Sequence, residues 1–226
     1  MKKLDVFFKD IFNRKFLISI SCLMIGQAFF FTSLKFLQNN YHVIDFYLDI
    51  KIPFIPEFIY IYNIFYPFVF IVMYYIFLKD RKTYYNGIIA GIIGYLICDI
   101  IFLSYPTIMN RPIVDYNTLD IVTGFVLKTT YYLDNPALNC LPSIHCLFCF
   151  QVMFTLFMSD NIKSNRKIII SFVFVLIILS TLFVKQHYLY DVLASFIIFM
   201  ISNIIVYGFK LEKKIYILWN NKVNSQ

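Results

Sequence analysis

The sequence predicts an all-α polytopic membrane protein, a bundle of six transmembrane helices. Three observations carry that reading. Of its 226 residues 60% are hydrophobic and only 15% are charged, with a mean hydropathy of +0.72. That leaves too little polar surface for a water-soluble domain of this length. Six apolar stretches each approach the 17–25 residues that carry a helix across a bilayer. The basic residues gather in alternate connections, as they do when a chain weaves through a membrane.

The apolar stretches lie near 16–37, 58–78, 84–104, 142–158, 168–184 and 187–208. Backbone groups in hydrocarbon must find partners within their own segment, so these runs are helices and not open strands. The first follows the basic N-terminal stretch MKKLDVFFKDIFNRK. That stretch lacks the compact apolar core and small-residue cleavage site of a secretory signal, so the first run is expected to stay as a span. The second run is preceded by IPFIPEF, whose Pro53 and Pro56 suit an interfacial approach to the helix. Glu57 and the neighbouring tyrosines are candidates for lining a headgroup pocket. The fifth and sixth runs nearly touch, leaving only a tight turn at 184–187. One membrane domain, 16–208, is thus expected between tails at 1–15 and 209–226.

Topology follows from the cations. The N-terminal tail, the 79–83 loop, the 159–167 loop and the C-terminal tail hold five, three, three and four Lys or Arg, fifteen in all. The other side holds five: Lys35, Lys51, Arg111, Lys128 and Lys185. The positive-inside rule places both termini in the cytoplasm. The connections 38–57 and 105–141 then lie outside. The net charge of +7 fits this topology and anionic lipid better than nucleic acid. Abundant Lys, Asn, Ile and Tyr suit an AT-rich bacterial genome.

The five cysteines, Cys22, Cys98, Cys140, Cys146 and Cys149, have no framework spacing and argue against a disulfide scaffold. Cys146 and Cys149 form a C-x-x-C inside an apolar run, where thiols behave as small hydrophobes and not as metal or redox ligands. No metal or other cofactor is expected.

Chemistry is expected where the ionisable residues converge. Of the three histidines, His42 lies in a polar connection and reads as solvated. His145 begins span four. The chain crosses, turns and recrosses, so His187 returns to the same membrane level. Asp191 follows His187 at i+4, which puts both on one helical face. A carboxylate so placed can fix one imidazole N–H and leave the other nitrogen a free lone pair, as nucleophile or general base. Ionisable residues at the edges of spans are costly and usually functional. Arg111, followed by Pro112, offers a planar fork of donors to a phosphate, and Lys185 is a second cation. Ser143 precedes a helix start, where an anion is favoured and the hydroxyl also suits an N-cap. Cations and donors around two histidines point to a phosphate site.

Arg111-Pro112, Pro142-Ser143-Ile144-His145 and His187-x-x-x-Asp191 together resemble the type 2 phosphatidic acid phosphatase superfamily. That family has six spans and the motifs K-x6-R-P, P-S-G-H and S-R-x5-H-x3-D. The branch most similar is the inositol-phosphorylceramide-synthase-like group, which carries stretches like KQHYLYDVLAS (Lys185–Ser195) and DIKIPFIPEFIYIY (Asp49–Tyr62). The resemblance implies that His187 forms a phosphohistidine and Asp191 orients it. It implies that His145 protonates the leaving lipid alkoxide, and that Arg111 and Ser143 bind phosphate oxygens. The chain departs from the motifs at Ser104, Thr181 and Ile144, where the family has lysine, arginine and glycine. Lys185, one turn after Thr181, is a candidate replacement cation, and Lys128 a weaker one. The expected function is metal-independent hydrolysis of a lipid phosphate or diphosphate at the extracytoplasmic face. Headgroup transfer to an alcohol, as in sphingolipid synthases, is the alternative with the same first step. A non-enzymatic lipid-binding or transport protein on the same scaffold is the alternative of another class.

Overall fold

The computed structural model describes residues 14–37, 40–44, 47–209 and 211, and is mostly helical. In chain order the elements are α1 (Arg14–Leu37), β1 (His42–Val43), α2 (Tyr47–Lys51), a 3-10 turn at Pro56–Phe58, α3 (Ile59–Asn63), α4 (Phe65–Lys79) and α5 (Arg81–Ser104). There follow β2 (Thr107–Ile108), a 3-10 turn at Tyr116–Thr118, α6 (Ile121–Leu133), α7 (Ile144–Met158), α8 (Ser164–Phe183) and α9 (Leu189–Asn203), which runs into a π-turn at Ile204–Gly208.

Among the described residues, four helices are long and apolar enough to cross a membrane: Pro56–Lys79, Arg81–Ser104, Ser164–Phe183 and Leu189–Gly208. They match four of the six expected spans. The expected first span forms α1, whose apolar stretch Phe16–Gln27 is shorter, and the expected fourth forms the 15-residue α7. The expected tails at 1–15 and 209–226 lie almost wholly outside the described residues. Each long helix turns one apolar stripe outward. Ile92, Leu96, Ile100 and Leu103 are exposed along α5, and Leu193, Phe196, Ile197 and Met200 along α9. Outward apolar stripes of that length suit lipid and not water.

Contacts fix the directions of the helices. Gly94 of α5 meets Leu147 of α7, and twelve ångströms or so further along Gly87 meets Thr155, so α5 and α7 run antiparallel. Ser143 touches Asp191 and Ser195, while Gln151 exchanges amide hydrogen bonds with Asn203 at 3.3 and 2.8 Å. Helices α7 and α9 are therefore parallel, and both begin at the same end of the bundle. Asp80 closes the opposite end. It caps α5 by accepting from the Thr83 N–H and hydroxyl, and accepts from Ser159 at the end of α7. Burial works to raise its pKa, but those three donors outweigh it and hold the carboxyl below its usual range.

At the site end the expected loops carry short elements of their own. β1 pairs in parallel with β2, His42 opposite Thr107, and the His42 ring stacks on Tyr105 at 4.2 Å. The 105–141 connection holds a helix the apolar-run reading passes over. Asp120 caps α6 through the N–H groups of Val122 and Thr123. Thr123, Leu127 and Tyr131 recur every four residues as its buried face.

The α5–α7 contact makes a test. A Cβ at Gly87 would lie 2.4 Å from Thr155 Oγ1 and 2.6 Å from its methyl, and neither atom is on a flexible side chain. Gly87→Val forces the helices apart. An expected loss of about 1–3 kcal/mol is read as a lower melting temperature in detergent.

Candidate active site

Two helix starts and one turn build the site. Ser143 caps α7, its Oγ accepting from the Cys146 N–H at 3.2 Å, and places His145 in the first helical turn. The second imidazole comes from the end of α8. Lys185 N–H donates to Leu182 O and Gln186 N–H to Thr181 O, the paired bonds that close a helix with a left-handed residue. That residue is Lys185, at φ 48°, where glycine is usual. His187 N–H also donates to Thr181 O, at 3.1 Å.

His187 stands before α9 and not on it. Tyr188 is the N-cap, and Asp191 at the third helical position reaches back to accept from the Tyr188 N–H at 2.8 Å. The same Oδ2 meets His187 Nδ1 at 3.2 Å. The expected pair thus forms, but through a helix cap in place of one helical face. The carboxylate accepts at that position, so Nδ1 carries the proton and Nε2 keeps its lone pair. Asp191 is 1% exposed and His187 9%.

The rings of His145 and His187 lie 5.7 Å apart between centroids. Tyr62, Phe65 and Tyr66 surround His145 at 5.1, 4.7 and 5.8 Å, and Tyr62 Oη meets its Nε2 at 3.4 Å. Both histidines line a cavity of about 400 Å³. Its wall is largely aromatic and aliphatic, with Tyr95, Phe148, Leu133 and Leu138. Asn63, Thr130, Asp134, Asn139 and Gln186 add polar groups. Of the tyrosines next to Glu57, Tyr62 lines it, while Tyr60 is exposed with its hydroxyl on Thr123 Oγ1, and Glu57 is exposed elsewhere.

Arg111 stands behind this wall. Its Nη2 pairs with Asp134 Oδ2 and donates to Gln186 Oε1, and its Nη1 donates to Asp134 O at 2.9 Å. The guanidinium lies over the Tyr131 ring, 4.7 Å from its centroid. Burial pushes the Tyr131 phenol up to about 12 despite the nearby arginine charge. The phenol donates to Val184 O at 2.8 Å, which ties α6 to the turn carrying His187. The sequence did not point to Asp134, Gln186 or Ser195, and gave Tyr62 only as a candidate for lining a headgroup pocket. Gln186 alone had a local signal, as the neighbour of His187.

Three expected residues take other places. Ser143 is fully buried and its hydroxyl serves the α7 cap. The Lys185 ammonium donates to Asp49 O and Ile52 O at 3.0 and 2.6 Å, away from the cavity. Burial lowers its pKa, and the Asp49 carboxylate opposes that shift. Lys128 is exposed over the Tyr116 ring, at 5.9 Å. At the motif positions, Ser104 bonds its own helix at Ile100 O, and Thr181 is buried with its hydroxyl on Ile178 O.

Fold and site together define a helical membrane protein with a carboxylate-oriented histidine facing a second histidine. A family model described as the PAP2 superfamily matches residues 52–205, a stretch that contains every element of the site. The chain belongs to that superfamily, and membership suggests a phosphatase-type function. No curated protein and no solved structure matches it.

Lys185→Met tests the tether. Losing two hydrogen bonds from a half-buried ammonium costs about 1 kcal/mol, seen as a lower melting temperature in detergent. Orthovanadate protection against unfolding is expected to stay as in the wild type; its loss would return Lys185 to the anion site.

Proposed function

We propose that the protein is a metal-independent lipid phosphatase that works through a phosphohistidine at the extracytoplasmic face of a six-span bundle. The observation that carries the reading is the facing pair, His145 and His187, with Asp191 on His187 Nδ1. Nε2 of His187 attacks phosphorus, and the bond from phosphorus to the lipid oxygen breaks. His145 in its protonated form gives its proton to the departing alkoxide. Water then attacks the phosphohistidine, passing a proton to His145. The P–N bond breaks, and inorganic phosphate leaves with both histidines restored. Positioning and charge stabilisation supply most of the acceleration in such transfers. Arg111 is the proposed cation for the phosphoryl oxygens, and the α7 N-terminus that Ser143 caps is a further proposed donor. The aromatic wall suits the glycerol, sphingoid or prenyl portion of a lipid phosphate or diphosphate.

The inositol-phosphorylceramide-synthase-like branch gives the second reading, with an alcohol in place of water as acceptor. Its support is the KQHYLYDVLAS stretch and Ile144 at the motif glycine. Both termini are placed in the cytoplasm on the fifteen-to-five distribution of cations.

Purified protein is tested on labelled lipid phosphates with EDTA present. Release of free phosphate, inhibited by orthovanadate, is expected; a phosphorylated alcohol instead marks the transferase. His187→Ala is expected to lose at least about 10³-fold in kcat, and Asp191→Asn about 10²–10⁴-fold. Acid quench of the wild type traps label on His187. Unchanged turnover in folded His187→Ala protein would sink the mechanism.

A further inference from the structure

The phosphate-binding equipment of this chain is short of cations in a particular way. The positions where the family carries lysine and arginine hold Ser104 and Thr181, and both hydroxyls are spent on their own helices. Lys185 is tied to the carbonyls of Asp49 and Ile52. Arg111 remains, and Asp134 already partners it. A dianionic phosphoryl group beside His187 therefore needs a further donor from the protein.

Gln186 has the position and the free valence. It is 2% exposed and lines the cavity with its neighbour His187, and with His145 and Asp134. Its Oε1 accepts from Arg111 Nη2 at 2.5 Å. A guanidinium has donors only, so the amide oxygen must face Arg111 and the NH2 group must point the other way. That Nε2 is buried and has no hydrogen-bond partner among the described residues. A buried amide N–H without a partner costs free energy comparable to a lost hydrogen bond, and such groups in native structures call for an explanation. The backbone fixes the side chain's origin: Gln186 N–H and His187 N–H share the carbonyl of Thr181. The two side chains therefore leave one rigid turn together.

We propose that Gln186 is a phosphate-contacting residue, its Nε2–H donating to a non-bridging phosphoryl oxygen as the group passes to His187. The proposal rests on the phosphatase reading and names a neutral donor for it. One amide thereby links Arg111 to the phosphate, accepting from the cation on one side and donating to the anion on the other.

Gln186→Glu separates the two halves of that role. It keeps length and the acceptor for Arg111 but replaces the donor by a second oxygen. At pH 8, orthovanadate binding is measured by thermal protection of the detergent-solubilised full chain, alongside turnover of a lipid phosphate. The expected results are vanadate affinity weaker by about tenfold or more and kcat lower by about 10²-fold. Wild-type values in Gln186→Glu would overturn the proposal and leave glutamine as a brace for Arg111. If the glutamate variant does not fold, Gln186→Met carries the test, and wild-type vanadate protection in it overturns the proposal equally. Should wild type itself gain no protection from vanadate, the phosphate site and the role of Gln186 fall together. Protection that persists while His187→Ala keeps full turnover overturns the phosphohistidine reading alone.

Discussion

The backbone of Ser143 is bonded to the first turn of α9, and the site depends on that link. Ser143 N–H donates to Asp191 O at 3.3 Å, and Ser195 Oγ donates to Ser143 O and Asp191 O at 2.7 and 2.5 Å. Unpaired backbone groups are intolerable in hydrocarbon, so the Ser143 N–H, an orphan donor at the start of α7, finds its partner in the first turn of α9. The reciprocal amide pair of Gln151 and Asn203 repeats the crosslink further along. Two links at two heights remove sliding and leave α7 and α9 in one register. His145 and His187 then have little choice of separation, since each is only a few residues from the first link.

The polar groups at this end are tied together by side-chain links. Asp191 caps α9 and holds His187; Tyr131 bonds Val184 O and underlies Arg111; Arg111 joins Asp134 to Gln186. An isolated charge beside a membrane core is costly, and a paired, hydrogen-bonded one much less so. The Arg111–Asp134 pair is what allows a guanidinium to stay at 10% side-chain exposure behind a wall made mostly of rings and aliphatic chains. The pair presents no net charge, so an anion arriving there as proposed would meet a neutral pair and not a bare cation.

Much of this was legible in the sequence because the bilayer imposes a crude length rule. Four apolar runs became helices of spanning length, and the weave of the chain brought the two histidines to one end. The His187–Asp191 contact was anticipated for a reason the structure revises: a spacing of four served both a helical face and a helix cap. What stayed hidden needed the third dimension. Arg111 and Asp134 are 23 residues apart in the chain, across α6, whose four-residue recurrence is too short to stand out beside apolar runs. Lys185 looked like a free cation because no sequence pattern announces a lysine in the left-handed region, and that backbone turn aims its ammonium at Asp49 O and Ile52 O.

The α8 helix also acts as a ruler. At 1.5 Å per residue its 20 residues measure about 30 Å, close to the thickness of a hydrocarbon core. Its far end closes directly into the bonds from Gln186 and His187 to Thr181 O, with no slack between helix and imidazole. The position of the His187 imidazole is thereby set from the opposite end of α8, by helix length. A thicker or thinner bilayer would raise or lower its headgroups about a fixed histidine. On the proposed phosphatase reading, the match between a lipid phosphate and His187 is in that sense tuned to one membrane thickness.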